Sequence, residues 1–381
     1  MRVLVAFDKF KDAIRAHDAC AVTNRALQAL HPDWIIASAP LTDGGDGFVR
    51  ILAEATHAPE LRTAVTGPRG NALEATWALV PRPRVPAAAR QRLSGQGDTV
   101  AVIEMAAASG LALVPTDQRD PWTATSAGTG ELMRAAAEAG ASALLLGVGG
   151  SATHDLGLGA LHALGFRFLD HNGQDLGPAR PADWDRLARI EGGPPAGFPP
   201  VFIACDVDNP LLGSRGAATV FAPQKGLRAA DRDRLEALSA TVARQLCVHC
   251  GQPESLVTTP GTGAAGGISF GLMGALGARL LPGFDLVSDW LDLDRQIDAA
   301  DIVITGEGRF DSSSLGGKGP GAIAARALAA GKTVHVFAGQ VDAAARSGLH
   351  LHAITPPDLP LTDALPRTSA FLDAAVRSTF R

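Results

Sequence analysis

The beginning of the chain alternates short apolar runs with patterns of helical periodicity. RVLVAF ends at Asp8, and a helical pattern then extends from about residue 17 to residue 30. A second apolar run, WIIASAP, leads into TDGGDG at residues 42–47, and FVRILAEA resumes the helical pattern. Strand, loop and helix repeated in this order predict a parallel α/β sheet. Because such sheets bind ligands beyond the carboxyl ends of their strands, FDKFKD and TDGGDG stand at candidate binding positions.

The pattern changes at about residue 61. LRTAVTGPRGNALEATWALV predicts two strands around a GPRGN turn, and DTVAVIEM predicts a third, which gives this part an antiparallel character. The α/β alternation returns near the end in ADIVITGEG, GAIAARALAAG and TVHVFAG. We therefore expect an α/β domain built from residues 1–62 and 285–381, and an inserted mixed α/β domain formed by residues 63–284.

Composition excludes several classes of function. The chain of 381 residues has a formal charge of −5, which gives no general attraction for nucleic acid or anionic lipid. Its apolar runs fall short of the roughly 18 residues that a membrane helix needs, and the start of the chain lacks the pattern of a signal peptide. A cytoplasmic protein is therefore expected. The CVHC segment lacks further ligands at the spacing of a zinc site.

Lysine is scarce in this chain. Among 34 basic residues only five are lysines, and four of them lie in loop-like segments: Lys9, Lys11, Lys225 and Lys318. The fifth, Lys332, follows a predicted helix end. An ammonium group contacts phosphate oxygens as a compact point charge, a task for which arginine is not a simple substitute. The four loop lysines are therefore candidates for phosphate contacts.

The segment GVGGSATHDLGLG at residues 147–159 follows a predicted strand. A glycine turn that presents backbone N–H groups forms an anion site, to which Ser151, Thr153 and Asp155 can contribute. GVGGSA also matches GxGxxA, with Asp170 about 20 residues further on, so an NAD(P)-dependent oxidoreductase remains an alternative. The absence of tyrosine excludes a tyrosine-based dehydrogenase mechanism. A Walker A loop is absent from the sequence.

Acids follow the predicted strand ends, and two of these segments carry a base further on, Lys225 and Lys318. TDGGDG supplies Asp43 and Asp46, and CDVDNPLLG supplies Asp206 and Asn209. TGEGRFDSSSLGGKGP supplies Glu307, Arg309, Asp311 and Lys318. Carboxylates beside a phosphate site need a cation between them and the anion, and Mg²⁺ is the usual one. The residues alone thus indicate a magnesium-dependent enzyme acting on a phosphorylated ligand, with a non-catalytic binding module as a further alternative.

Taken together, these segments resemble the bacterial glycerate kinase type 1 family. The matching stretches are DKFK, DGGDG, EMAAASGLALV, GGSATHDLGLG, CDVDNPLLG, FAPQKG, PGTGAAGGISFG and TGEGRFDSSSLGGKGP. The resemblance implies a two-domain α/β kinase with a Rossmann- or flavodoxin-like domain and an active-site cleft between the domains. It implies ATP as phosphoryl donor and D-glycerate as acceptor, with 2-phosphoglycerate as the favoured product. The chain departs from the family pattern at Asp12, at Asp46 and Phe48, and at His154.

The resemblance also implies residue roles. The catalytic candidates are Lys9, Lys11, Asp43, Asp46, Asp206 and Lys318, with Asp43, Asp46 and Asp206 as the candidate ligands of Mg²⁺. The candidates for binding substrate and phosphate are Asp8, Gly149, Gly150, Ser151, Thr153, Asp155, Asn209, Lys225, Glu307, Arg309 and Asp311. The implied partners are ATP and D-glycerate, without nucleic acid or membrane, and a homo-oligomer is left open.

Overall fold

The computed structural model describes residues 1–95, 97–311, 314, 319–343 and 347–381. Its strands are β1 Arg2–Phe7, β2 Ile35–Ser38, β3 Glu60–Thr66, β4 Ala72–Pro81, β5 Thr99–Glu104, β6 Leu144–Gly147, β7 Phe166–Asp170, β8 Leu187–Gly192, β9 Val201–Ala204, β10 Arg279–Leu281, β11 Ile302–Gly306, β12 Arg309–Asp311, β13 Thr333–Ala338, β14 Gln340–Asp342 and β15 Leu349–Ala353. Its α-helices are α1 Ala16–Leu30, α2 Phe48–Ala55, α3 Ala87–Arg92, α4 Met105–Ser109, α5 Ala127–Glu138, α6 Leu158–Ala163, α7 Ala217–Val220, α8 Arg232–Cys250, α9 Ala264–Leu276, α10 Gly283–Trp290, α11 Leu293–Ala299, α12 Pro320–Ala329, α13 Leu361–Ala364 and α14 Thr368–Thr379. Within these described residues, no helix combines the length and the apolar character that a membrane span requires.

The chain divides into two compact units. The first consists of Met1–Thr42 and Val287–Arg381, and the second of Asp43–Leu286. The sequence pattern assigned residues 43–62 to the first domain, whereas the structure groups them with the second unit. The physical reason is that helix α2 packs on strands β4 and β5. Local periodicity predicts the helix correctly but contains no information about which sheet the helix covers.

The first unit contains a parallel five-stranded sheet in the order β15-β13-β11-β1-β2. Strand β1 lies between β2 and β11, and its apolar run is buried from Val3 to Phe7. Val3, Val5 and Phe7 belong to a core cluster shared with helices α1 and α14, which also pack on each other. Helix α12 packs on β11 and β13. A nearly continuous apolar strand is what a parallel sheet needs at its centre, because both of its faces are covered.

The second unit contains a six-stranded mixed sheet in the order β10-β9-β6-β5-β4-β3. Strands β10, β9, β6 and β5 are parallel, while β4 pairs antiparallel with β5 and with β3, as the hairpin pattern predicts. The segment between β7 and β9 is rich in Pro and Gly, which predicts a surface connection without regular structure. It contains β8 instead, which pairs antiparallel with β7. This strand, LARIEG, buries Leu187 and Ile190, so it carries little of the apolar alternation by which a sequence predicts a strand.

Parallel pairing aligns the carboxyl ends of the strands in each unit. In the second unit Glu104 pairs with Gly147, and Gly147 pairs in turn with Ala204. In the first unit Phe7 pairs with Gly306. The loops that follow these strands, which carry the candidate site residues, therefore start side by side within each unit.

The contact between α5 and α6 provides a test of packing. A Cβ atom on Gly130 would lie 2.3 Å from the carbonyl oxygen of Ala160. We expect Gly130→Ala to lower the free energy of unfolding by about 1–3 kcal/mol, because the helix backbones must move apart. Denaturation in urea measures this change. Gly193→Ala is the matched control, since no atom lies within 4 Å of its Cβ position, and an equal loss in both variants would contradict the packing argument.

Candidate active site

Two glycine-rich loops of the second unit touch through their backbones. The amide of Gly149 donates a hydrogen bond of 3.0 Å to the carbonyl oxygen of Gly44. A Cβ atom on Gly149 would lie only 2.5 Å from the Cα atom of Gly45. The sequence singled out these loops separately, as TDGGDG and as GVGGSATHDLGLG. Their contact brings the predicted acids of the first loop to the predicted anion-binding turn of the second.

The two aspartates of residues 42–47 occupy different positions at this contact. The Oδ1 atom of Asp46 lies 3.0 Å from the position that a Cβ atom on Gly150 would occupy, so this carboxylate stands next to the glycine turn. The Oδ1 atom of Asp43 accepts a hydrogen bond from the amide of Gly45 at 3.2 Å, which folds the loop around its own carboxylate. Both acids therefore lie in a loop that packs against the turn following β6.

Glu104 holds the far end of the same loop, and sequence reasoning missed it. Its carboxylate accepts hydrogen bonds from the amide of Gly47 at 3.2 Å and from that of Val49 at 3.3 Å. These amides open helix α2, where a carboxylate also interacts favourably with the helix dipole. A signal was available, because Glu104 ends strand β5 just as the other candidate acids follow their strands.

Asp206 plays a comparable part at helix α10. Its two carboxylate oxygens accept hydrogen bonds from the amides of Gly283 at 3.0 Å and Phe284 at 2.8 Å. A Cβ atom on Gly283 would lie 2.2 Å from the carbonyl oxygen of Asp43 and 3.4 Å from the carboxylate of Asp206. Asp43 and Asp206 thus meet at Gly283, and the Asp206 carboxylate is anchored to backbone amides.

The carboxylates near the glycine turn differ in their capacity to hold Mg²⁺. Within the part of the chain that the structure describes, no group of three or more His, Cys, Asp or Glu side chains is placed to hold a metal ion. Mg²⁺ in phosphoryl-transfer sites usually takes one or two carboxylates and completes its shell with water and substrate phosphates. Asp43 and Asp46 are the candidates for such a pair of carboxylates, whereas both oxygens of Asp206 accept hydrogen bonds from amides.

Lys225 lies in the interior beneath the glycine turn. Its side chain is 1% exposed, and Nζ donates hydrogen bonds to Oγ of Ser151 at 2.8 Å and to the carbonyl oxygen of Thr153 at 2.6 Å. Burial lowers the pKa of Lys225 to about 7, and the charge of Asp155 opposes this shift. The sequence predicted a loop lysine in direct contact with phosphate. In the structure this ammonium points into the protein instead, and Ser151 and Thr153 accept its hydrogen bonds.

Asp155 is a buried anchor of the same loop. It accepts hydrogen bonds from the amide and the hydroxyl of Ser126, at 2.7 and 2.8 Å, and from the amides of Gly157 and Gly159, at 3.1 and 3.2 Å. Burial raises its pKa, and these hydrogen bonds oppose the shift. Next to it, burial and the charge of Lys225 lower the pKa of His154 to about 3, so this imidazole is neutral at neutral pH. The contacts of Asp155 give it a role in loop geometry.

Asn209 also stabilises its own loop. Its side-chain amide donates to the carbonyl oxygen of Arg215 at 2.8 Å, and its backbone carbonyl accepts from the amide of Gly263 at 2.9 Å. PGTGAAGGISFG, which lacks ionisable residues, therefore provides close packing here. A Cβ atom on Gly263 would lie 2.2 Å from the carbonyl oxygen of Pro210.

The first unit gathers a second set of predicted residues at the ends of β1 and β11. The amide of Asp8 donates to the carbonyl oxygen of Gly306 at 3.0 Å, so Asp8 stands beside Glu307. Burial, with the like charges of Asp8 and Asp311, raises the pKa of Glu307 to about 7, against a hydrogen bond from Ser314. The amide of Lys9 donates to Oδ1 of Asp8 at 2.7 Å.

Of the predicted basic residues in this unit, Arg309 lies next to the acidic group. Arg309 pairs with Asp342 at 2.7 Å and approaches Asp311 at 3.7 Å. The backbone of Lys11 lies against Gly308, whose Cβ position is 3.5 Å from the Lys11 amide nitrogen. Lys318, predicted as catalytic, lies outside the described residues.

Comparison with known proteins identifies the family. A model of the glycerate kinase family matches residues 3–381. The chain belongs to the glycerate kinase family. It is 38% identical over 386 residues to a glycerate kinase of Bacillus subtilis (strain 168), a match covering 99% of this chain and 96% of the relative. It is also 38% identical over 330 residues to a glycerate 2-kinase of Escherichia coli (strain K12), covering 84% of this chain and 80% of that protein.

The fold agrees with this assignment. The crystal structure of a protein described as glycerate kinase 2 from Salmonella typhimurium LT2 superposes with a TM-score of 0.76 at 35% identity. The match covers 100% of this chain and 97% of that structure. The α/β architecture with parallel sheets, and the assignment as a phosphotransferase, are thereby confirmed.

Membership of the glycerate kinase family overturns the oxidoreductase alternative, and the geometry gives the reason. The GVGGSA turn does not enter a helix directly, because α6 begins only at Leu158. The carbonyl oxygen of Gly150 accepts from the Leu111 amide, and the Gly149 amide is bound to Gly44. Asp170, the candidate ribose ligand, ends a strand of the separate β7–β8 hairpin and accepts from the amides of Asn172 and Gln174.

Glu104 provides the test of this site. We expect Glu104→Gln to reduce kcat for glycerate phosphorylation about tenfold, because an amide oxygen replaces only one of two charged acceptors at the start of α2. Steady-state kinetics measure the change. Glu54→Gln, an exposed glutamate paired with Arg50, is the matched control. Equal rates for the two variants would show that Glu104 does not position the loop of Asp43 and Asp46.

Proposed function

We propose that this kinase transfers the γ-phosphoryl group of ATP to the 2-hydroxyl of D-glycerate, in a reaction that requires Mg²⁺. The observation that carries the proposal is the match of the family over residues 3–381. The choice of the 2-hydroxyl is supported by the Escherichia coli relative, which is named a glycerate 2-kinase. Cytoplasmic location and homo-oligomer formation stay predictions.

In the second unit, the glycine turn supplies donors for a phosphate group. Gly150 is exposed at its tip, and Ser151 follows with its hydroxyl held from below by Lys225. The Asp46 carboxylate beside Gly150 would repel a phosphate that bound there alone. Asp43 and Asp46 would hold Mg²⁺, which when bound neutralises phosphate charge between these acids and the anion. Asp206 keeps the start of α10 and the Asp43 backbone in place.

In the first unit, Glu307 is the proposed acceptor of the glycerate hydroxyl proton. Its burial next to Asp8 and Asp311 suits a base that titrates near neutral pH. Lys9, Lys11 and Lys318 are proposed to neutralise phosphate oxygens, and Arg309 to pair with the glycerate carboxylate. Because the transition state of phosphoryl transfer is loose, charge neutralisation is expected to contribute more than proton removal.

The activity itself is tested by incubating the full chain with ATP, D-glycerate and MgCl₂. Phosphorus NMR of the product distinguishes 2-phosphoglycerate from 3-phosphoglycerate. We expect the 2-isomer, with turnover lost when Mg²⁺ is chelated and not restored by L-glycerate. A folded sample that consumes no ATP in the presence of D-glycerate would refute the proposal.

The pH profile tests Glu307. We expect wild-type kcat to rise with pH through about 7, because the carboxylate must be ionised to accept a proton. Glu307→Gln is expected to lose this rise and to lower kcat about ten- to a hundredfold. Glu307 also makes the free energy of unfolding depend on pH. Because folding raises its pKa, its contribution to stability is complete at acid pH and is lost as the pH rises through about 7. The Glu307→Gln variant is expected to lack this loss of stability.

Asp373→Asn is the control for this experiment, because it removes a half-buried carboxylate of the same unit that pairs with Arg377. It is expected to keep both the rate and the profile of the wild type. A Glu307→Gln enzyme with an unchanged pH profile would assign the proton acceptor elsewhere.

A further inference from the structure

The contacts of Lys225 fix the direction of a proton on Ser151. A lysine ammonium donates hydrogen bonds and accepts none, so Oγ of Ser151 is the acceptor in their 2.8 Å contact. The hydroxyl proton of Ser151 must then point away from Nζ. Among the described residues, no acceptor receives this proton. The Ser151 hydroxyl is thus left as a donor next to the exposed Gly150.

The second contact of Lys225 orients a carbonyl. Nζ donates a hydrogen bond of 2.6 Å to the carbonyl oxygen of Thr153. This bond directs the partial negative charge of the carbonyl oxygen into the protein interior. A loop that binds an anion must keep its carbonyl oxygens away from the ligand and present its donors. The two hydrogen bonds of Lys225 therefore both favour anion binding by this loop. One leaves the Ser151 hydroxyl as a donor, and the other keeps the Thr153 carbonyl oxygen away from the ligand.

The charge of Lys225 is not cancelled by an ion pair. The described residues include no carboxylate within salt-bridge distance of Nζ. The carboxylate oxygens of Asp155 accept hydrogen bonds from Ser126, Gly157 and Gly159 instead. Burying an ammonium without a paired carboxylate is costly. A cation kept there in spite of this cost places positive potential directly beneath the glycine turn.

We propose that Lys225 is a positioning residue, which acts through Ser151 and the Thr153 carbonyl to make the turn Gly149–Ser151 a site for a dianionic oxyanion of the phosphate or sulfate class. The assignment of that anion to a nucleotide or substrate phosphate rests on the proposed function. The positioning role itself predicts anion binding that can be measured without turnover.

Charged and titratable residues of the described chain, Asp155, His154 and Arg119, face this lysine or its segment. Asp155 contributes negative charge, and His154 is neutral at neutral pH. Arg119 packs with its backbone against Gly226, and its guanidinium donates to the carbonyl oxygen of Gln224 at 3.5 Å. Because burial lowers the Lys225 pKa to about 7, the ammonium loses its proton within an accessible pH range. Anion affinity should fall as that proton is lost.

Sulfate is the probe for the test, because its charge stays constant over this range whereas phosphate and ATP titrate near neutrality. Calorimetry with the full chain at about pH 6 and about pH 8.5 brackets the Lys225 pKa. MgCl₂ is held constant in every titration, because the Asp46 carboxylate beside Gly150 would otherwise repel the sulfate. We expect wild-type sulfate affinity to fall about tenfold between the two pH values. Ser151→Ala, a small change at a buried loop position, is expected to bind sulfate about tenfold more weakly at pH 6 and to lose most of the pH dependence.

Lys225→Gln and the double variant with Ser151→Ala complete a double-mutant cycle. At pH 6 the two single variants and the double variant are expected to show about the same loss of sulfate affinity relative to the wild type, because Lys225 acts through Ser151. Arg228→Gln is the matched control, since it removes an exposed cation three residues away that pairs with Asp231. It is expected to keep both the affinity and its pH dependence.

Several outcomes would overturn the inference. Wild-type affinity that is equal at the two pH values would do so, and so would additive losses in the double variant or full pH dependence in Ser151→Ala. If Lys225→Gln does not fold, the wild-type and Ser151→Ala titrations still decide. The kinase assay is read separately: a wild type that phosphorylates D-glycerate but shows flat sulfate binding refutes only the positioning role. The reverse result refutes only the proposed function.

Discussion

The backbone contact between Gly149 and residues 44–45 determines how the second unit builds its site. A side chain at Gly149 would collide with the Cα atom of Gly45, so the two loops can meet only because both consist of glycine at this point. The contact gives Asp46 a fixed place beside Gly150 and leaves the amide of Gly149 bound to Gly44. The position of the Asp46 carboxylate beside the glycine turn therefore depends on this close approach of two backbone segments.

Around that contact, carboxylates act mainly on the backbone. Glu104 accepts from the amides that open α2, and Asp206 accepts from those that open α10. A carboxylate at a helix start satisfies amides that have no partner within the helix. Asp155 does the same within its loop. The site thus has one layer of acids that hold loops and another, Asp43 and Asp46, with capacity left for a ligand.

Sequence patterns were sufficient for most local elements and for the family. FVRILAEA is helix α2 at residues 48–55, and the GPRGN turn does join two antiparallel strands. What the patterns could not provide was the environment of single side chains. Lys225 lies in a Pro- and Gly-containing segment typical of a surface loop, yet it is buried, because the Ser151 loop closes over it. Residues 43–62 were assigned to the wrong unit for the same reason, since tertiary contacts leave no mark on local periodicity.

The position of β1 between β2 and β11 has a consequence for biosynthesis. Strand β1 leaves the ribosome before the inserted unit, whereas its neighbour β11, which pairs with it through Val3 and Ile302, follows almost three hundred residues later. During translation the whole of Asp43–Leu286 emerges while β1 still lacks that neighbour. Domains generally fold as units as they are synthesised. The inserted unit can therefore complete its own core first, and β1 must stay unpaired on one side until β11 emerges.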